Sequence, residues 1–79
     1  MNTVLGDKLR ELRRERKISQ QKVSYRTHIS PVQLSRYENG KTMPNFHNLV
    51  KIAKALEVPL EYFLEDEERE FFRKLHAAN

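Results

Sequence analysis

Gln33 and Arg36 are residues whose types and spacing could do recognition chemistry. An arginine fork can donate two hydrogen bonds to guanine, and a glutamine amide can exchange two with adenine. Both follow Ser30 and Pro31, which open a short helix-forming segment, and Val32 beside them offers an apolar surface suited to a thymine methyl group. The alternative is that this face is simply solvated, with Arg36 in a surface ion pair.

Catalytic or metal-binding chemistry has no comparable support in the sequence. The three histidines show no metal-ligand spacing, and there is no cysteine. The serines lack the histidine and aspartate context that nucleophilic catalysis requires. Two glycines are too few for a glycine-rich phosphate loop. We therefore expect no enzyme, no metal site and no cofactor.

The segment from Ser19 to Gly40 would position the recognition residues as two short helices joined by a tight turn. Ser19 and Ser30 are suited to cap the two helix N-termini, and Ser30 stands directly before a proline at the first helical position. Gly40 tolerates the left-handed conformation at the end of the second helix. This is the pattern of a helix-turn-helix, whose second helix enters the major groove of DNA.

Helical spacing also predicts the elements on either side. Leu5, Leu9 and Leu12 recur on one face, which predicts a first helix from Leu5 to Arg16. Pro44 and Asn45 are expected to open a fourth helix. Its apolar stripe consists of Phe46, Leu49, Ile52, Ala53 and Leu56.

The end of the chain predicts two more helices. Pro59 ends the fourth helix, because the residue before a proline disfavours helical geometry, and a short fifth helix is predicted over Leu60–Leu64. Acidic residues before basic ones predict a sixth helix over Asp66–His76. The expected fold is all-α, a compact five-helix bundle in residues 1–64 with the sixth helix in residues 65–79.

The charge of the chain is unevenly distributed. Its net charge of +4 combines +6 over residues 1–64 with −2 over residues 65–79. A basic body suits a polyanionic partner; the alternative is that lysine and arginine only solubilise helix faces. The start of the chain has no apolar signal region, and no apolar run is long enough to span a membrane. We therefore expect a cytoplasmic protein without a membrane partner.

About sixty of the 79 residues, from Leu5 to Leu64, resemble the Xre/phage-repressor, or lambda-repressor-like, helix-turn-helix family. The resemblance rests on Leu5-x-x-x-Leu9-x-x-Leu12, Ile18-Ser19-Gln20, Ile29-Ser30, the run from Leu34 to Lys41, Pro44, and Leu49-x-x-Ile52-Ala53-x-x-Leu56. It implies a five-helix DNA-binding fold.

Four residues depart from the family's pattern. Thr27 stands where a buried aliphatic is usual, His28 and Glu57 where glycine is usual, and Ser24 where alanine is usual. Histidine is one of the residue types enriched at positive φ, so His28 could still form the turn at modest cost.

The resemblance implies a role for each candidate site residue. The residues expected to read bases are Pro31, Val32, Gln33, Ser35 and Arg36. Those expected to contact the DNA backbone are Gln20, Asn39, Lys41 and Thr42. Arg13 and Glu38 are expected to form a structural ion pair. For the residues after the third helix, simple turn chemistry is a compatible alternative, since asparagine before glycine is common at helix ends.

Aromatic residues near the end of the chain could support a dimer. A symmetric DNA reader needs a two-fold axis to meet two half-sites. The residues expected at a homodimer interface are Tyr62, Phe63, Phe71, Phe72 and Leu75. The alternative is that the last helix packs back onto the first or fifth helix of its own chain.

The function implied by the resemblance is sequence-specific regulation of transcription. The expected activity is that of a repressor that binds a palindromic operator in double-stranded DNA as a homodimer. The alternative is an antitoxin or protein-interaction module whose C-terminal helix binds a partner protein.

Overall fold

The computed structural model describes residues 4–64 and residue 75, and all regular structure in that part of the chain is helical. The elements in chain order are α1 (Val4–Glu15), α2 (Gln20–Thr27), α3 (Pro31–Glu38), α4 (Phe46–Ala55) and a 3-10 helix (Leu60–Phe63). The all-α prediction is therefore confirmed over these residues. They form four α-helices, however, and not the five that were predicted.

The predicted fifth α-helix is a single 3-10 turn at Leu60–Phe63. Between Pro59 and Leu64 the chain has room for only one turn, which closes through bonds between residues three apart. Tyr62 N donates to Pro59 O at 3.0 Å, and Leu64 N donates to Glu61 O at 3.1 Å. The predicted sixth helix lies outside the described residues, apart from Leu75, which is helical.

Three helices begin at side-chain caps. Ser19 Oγ accepts a hydrogen bond from the Lys22 amide, and Ser30 Oγ accepts one from the Gln33 amide, both at 3.1 Å. Asn45 Oδ1 does the same for α4. Each cap satisfies an amide that has no partner within its own helix. The serine caps predicted for α2 and α3 are thereby confirmed.

The turn between α2 and α3 closes without glycine. His28 takes the left-handed conformation, with φ of 62°. Thr27 is 2% exposed, and its hydroxyl donates to Val23 O at 2.8 Å while accepting from the Ile29 amide at 3.2 Å. The two departures from the family pattern therefore work together, because the threonine hydroxyl satisfies a buried amide in the turn that the histidine forms.

The core lies where all the helices meet. It contains Leu9, Leu12, Val23, Ile29, Leu34, Tyr37, Leu49, Ile52, Ala53, Leu56 and Phe63. The α4 stripe predicted from the sequence is confirmed from Leu49 onward, but Phe46 is 67% exposed. Helical side chains lean toward the helix N-terminus, so the side chain of this first residue of α4 projects past the packed part of the helix.

The position of Phe63 differs from the one predicted for it. It was predicted at a dimer interface, but it is 4% exposed and belongs to the core of its own chain. The neighbouring Tyr62 packs edge-on against it, with ring centroids 5.4 Å apart and an interplanar angle of 88°. The 3-10 turn therefore uses one aromatic ring to close the core and leaves the other at the surface.

None of the helices described is long and apolar enough to cross a membrane. Over the same part of the chain, no group of three or more histidine, aspartate or glutamate side chains could hold a metal ion.

Candidate nucleic-acid interface

The two faces of α3 are sharply different. Leu34 and Tyr37 are each 3% exposed and pack inward, against the core between α1 and α2. Pro31, Val32 and Arg36 lie on the opposite face and are exposed. An apolar side chain such as Val32 that remains 72% exposed has no role in packing the helix, so it is available to a partner.

A shallow concavity of about 560 Å³ runs along this outer face of α3. We refer to it as the α3 groove. It is lined by Gln20, Pro31, Val32, Ser35, Arg36, Asn39 and Lys41. Seven of the nine residues predicted to contact DNA are thus brought together on one surface, and each is neutral or basic.

The remaining two of the nine residues lie outside the α3 groove. Gln33 is half-buried in the first turn of α3. Thr42 Oγ1 is fully covered and has no hydrogen-bond partner among the described residues. As placed, the Thr42 hydroxyl cannot reach a phosphate, so the geometry does not support the backbone contact predicted for it.

The two ends of the α3 groove are suited to anions. Gln20 is the first residue of α2, and a helix N-terminus combines unpaired amides with a favourable dipole. At the other end the chain turns at Gly40, with φ of 72°, and Lys41 N donates to Arg36 O at 2.9 Å. This turn places a lysine beside the C-terminus of α3.

Arg13 and Glu38 join α1 to the end of α3. Arg13 Nε lies 2.7 Å from Glu38 Oε2, and Arg13 Nη2 lies 3.1 Å from Oε1, so the contact is a paired fork. Arg13 Nη1 also donates to Ile18 O at 3.1 Å. The hydrogen bond to Glu38 raises the pKa of the Arg13 guanidinium, with a smaller Coulombic contribution from the same carboxylate, while burial acts in the opposite direction.

Arg10 makes a second connection between α1 and α3, which the sequence reasoning missed. Its Nη2 donates to Glu38 O at 2.8 Å and to Asn39 Oδ1 at 2.9 Å. Arg10 lies three residues before Arg13, so both side chains leave the same face of α1. That spacing was the signal in the sequence that could have identified it.

The residues predicted for a dimer interface have different surroundings. Tyr62 is 37% exposed and Leu75 is 54% exposed. Phe71 and Phe72 lie outside the described residues. With Phe63 in the core, two of the five predicted residues are placed at the surface.

Comparison with known proteins identifies the family of this chain. A helix-turn-helix family model matches residues 9–63. The chain is 35% identical over 65 residues to an uncharacterized transcriptional regulator in the ATPase CF(0) region of Rhodospirillum rubrum, covering 82% of this chain and 60% of the relative. It is also 35% identical over 65 residues to repressor protein C2 of Salmonella phage P22, covering 81% of this chain and 30% of the relative.

A solved structure extends the second similarity to the fold. The crystal structure of the P22 c2 repressor protein in complex with a synthetic operator superposes with a TM-score of 0.74 at 32% identity, covering 80% of this chain and 96% of that one. The chain spans less than two thirds of the length of both curated relatives, one a transcriptional regulator and the other a repressor. The chain therefore belongs to the Xre/lambda-repressor-like helix-turn-helix family.

Proposed function

We propose that this chain is a transcriptional repressor that binds a palindromic operator in double-stranded DNA as a homodimer. The observation that carries the proposal is the α3 groove, where an exposed helix face, a helix N-terminus and two basic side chains line one surface. This is the arrangement with which helix-turn-helix proteins enter the major groove. The P22 c2 repressor, whose solved complex contains an operator, supports the same role for this chain.

Direct base contacts fall to the outer face of α3. Arg36 would donate two hydrogen bonds to a guanine, and Gln33, which lies outside the α3 groove, would pair with an adenine. Val32 would contact a thymine methyl group, for which its 72% exposed side chain supplies the apolar surface. Pro31 and Ser35, which also line the α3 groove, would complete the face that approaches the bases.

Backbone contacts would come from the ends of the α3 groove. Gln20, at the start of α2, would approach one phosphate, and Lys41 with Asn39 would approach another. Such contacts hold the domain in position on the duplex without reading its sequence. The proposal omits Thr42, since its hydroxyl oxygen is covered.

Dimerisation is assigned to the end of the chain. We propose residues 1–64 as the DNA-binding unit and residues 65–79 as the segment that packs or dimerises. Tyr62 and Leu75 are exposed apolar residues there, and Phe71 and Phe72 are proposed to join them. Sedimentation of the full chain and of a 1–64 fragment measures this directly: a dimer for the first and a monomer for the second is expected.

The alternative of an antitoxin or protein-interaction module is not favoured. The relatives matched along most of this chain are regulators and repressors of transcription. The proposal also places the chain in the cytoplasm, where bacterial and phage operators are found.

The decisive experiment is selection from a pool of random duplex DNA by the full 79-residue chain. We expect enrichment of a palindrome whose half-sites are centred about one helical turn, roughly 34 Å, apart. Affinity for that duplex should fall with salt, with a log–log slope of about −0.9 per phosphate neutralised. Failure to enrich any duplex, or equal affinity for selected and random sequences, would refute the proposal.

A further inference from the structure

Arg10 of α1 contacts Asn39, the residue that follows α3 and lines the α3 groove. Its side chain is 22% exposed, and its Nη2 donates both to Glu38 O and to Asn39 Oδ1. On the other side, Arg10 Nη1 lies 3.8 Å from Asp7 Oδ1 within α1. The guanidinium therefore connects a carboxylate of α1 to the C-terminus of α3.

The hydrogen bond from Arg10 determines which way the Asn39 amide points. A guanidinium has only donors, so the amide group must turn its oxygen toward Arg10 and its NH₂ group away. The observed contacts follow this rule, because Asn39 Nδ2 donates to Ser35 Oγ at 3.3 Å. Both Ser35 and Asn39 line the α3 groove.

This orientation leaves a donor for an anion. The NH₂ group carries two hydrogens, of which Ser35 takes one, and Asn39 is exposed. A phosphate oxygen accepts hydrogen bonds and would be repelled by the amide oxygen if the group were reversed. Resting on the function proposed above, we infer that Arg10 is a positioning residue for DNA binding, which acts by presenting the Asn39 NH₂ group to a backbone phosphate.

The test uses the full chain, with a duplex selected from random DNA by the wild-type protein as the probe. Arg10→Met should lower affinity about tenfold, as expected for loss of a hydrogen bond to a charged group. Arg14→Met is the matched control, since it removes the same charge from an exposed position of α1, and it should lower affinity at most about twofold.

Two further readouts separate positioning from direct contact. If Arg10 acts through Asn39, Arg10→Met should cause no further loss in an Asn39→Ala background, and the salt slope should stay that of the Asn39→Ala variant. Additive losses would mean that Arg10 acts by a route other than Asn39, such as its bond to Glu38 O, and would overturn the inference. A salt slope reduced by about 0.9 beyond that of Asn39→Ala would mean that Arg10 contacts a phosphate itself, and would overturn it too.

Asn39→Asp tests the orientation without removing the contact to Arg10. The carboxylate keeps an oxygen toward the guanidinium but replaces the NH₂ donor with a second, negatively charged oxygen. The Asn39→Asp variant should bind the selected duplex more weakly than the Asn39→Ala variant does. It should unfold at no lower a urea concentration than Asn39→Ala. Equal or stronger binding would overturn the inference. Failure of the wild-type chain to select any duplex would instead refute the proposed function, and the inference with it.

Discussion

The guanidinium of Arg13 and the carboxylate of Glu38 face each other as matched forks, with N–O distances of 2.7 Å and 3.1 Å. Only 17% of the Arg13 side chain and 8% of the Glu38 side chain remain exposed. The pair joins the last turn of α1 to the last residue of α3. The contact therefore links α1 to the helix whose outer face lines the α3 groove.

The stability of the domain should depend strongly on this pair. Arg13→Met removes the paired fork from the buried Glu38 carboxylate and leaves it only the longer contact to Arg10, whose Nε lies 3.9 Å from Glu38 Oε1. The free energy of unfolding should therefore fall by about 3 kcal/mol, the lower end of the range for breaking a buried ion pair. The exposed Arg14→Met variant should change it by no more than about 0.5 kcal/mol. Urea unfolding of both variants measures the difference. Equal stability of the two variants would show that the fork contributes nothing beyond a surface charge.

The contribution of Arg13 should not vary with pH near neutrality. Its pKa is raised in the folded chain, chiefly by the hydrogen bond to Glu38. A raised pKa gives stability that is fully present below the unfolded-state pKa and is lost only as pH rises through the folded-state pKa, and both lie far above neutral pH. The stability difference between wild type and Arg13→Met should stay constant from about pH 7 to pH 9 in urea titrations. A steady change across that range would contradict this account.

Arg36 and Lys41 should affect DNA binding in different ways. Arg36→Ala should cost about 1–3 kcal/mol on the selected duplex and relax the base preference at one position. Lys41→Ala should weaken binding about equally on all duplexes and lower the salt slope by about 1. Competition against single-base variants of the selected duplex separates the two effects. Uniform loss on every sequence for Arg36→Ala would remove its base-reading role.

The side chain of Val32 should contact a thymine methyl group in the selected duplex. Val32→Ala should leave the free energy of unfolding within about 0.5 kcal/mol of wild type, because the side chain is largely exposed. Its affinity for the selected duplex should fall by about 1–2 kcal/mol as apolar contact is lost. Replacing the contacted thymine with deoxyuridine should weaken wild type but not Val32→Ala. Equal sensitivity of both proteins to deoxyuridine would place the methyl contact elsewhere.

The hydroxyl group of Thr27 should contribute more to the free energy of unfolding than its methyl group does. Thr27→Val preserves the shape but leaves the Ile29 amide without an acceptor, at a cost of about 1–3 kcal/mol. Thr27→Ser keeps the oxygen and loses one methyl group, at a cost of about 0.8 kcal/mol. Thermal or urea unfolding should therefore rank serine above valine at this position. The opposite order would show that the family's usual aliphatic residue also suits this turn.

Features that depend on a few neighbouring residues could be read from the sequence. The Ser19 and Ser30 caps and the left-handed Gly40 are local, since each involves a side chain and amides within four residues. The inward position of Leu34 and Tyr37 follows from helical spacing in the same way. The seven residues that line the α3 groove were all among those that the family resemblance implied for DNA contact, because each lies at a position fixed by these local features.

Contacts between segments that are distant in the sequence were determined only by the tertiary structure. Phe46 and Leu49 both fit the apolar stripe of α4, but only the packing of neighbouring helices shows that the first lies beyond the core. Phe63 and Tyr62 are adjacent aromatic residues, and the direction of one 3-10 turn buries the first and exposes the second. The contact of Arg10 with Asn39, 29 residues away, has the same origin. Spacing along one helix specifies which side chains share a face, whereas the partner of that face depends on how separate helices pack.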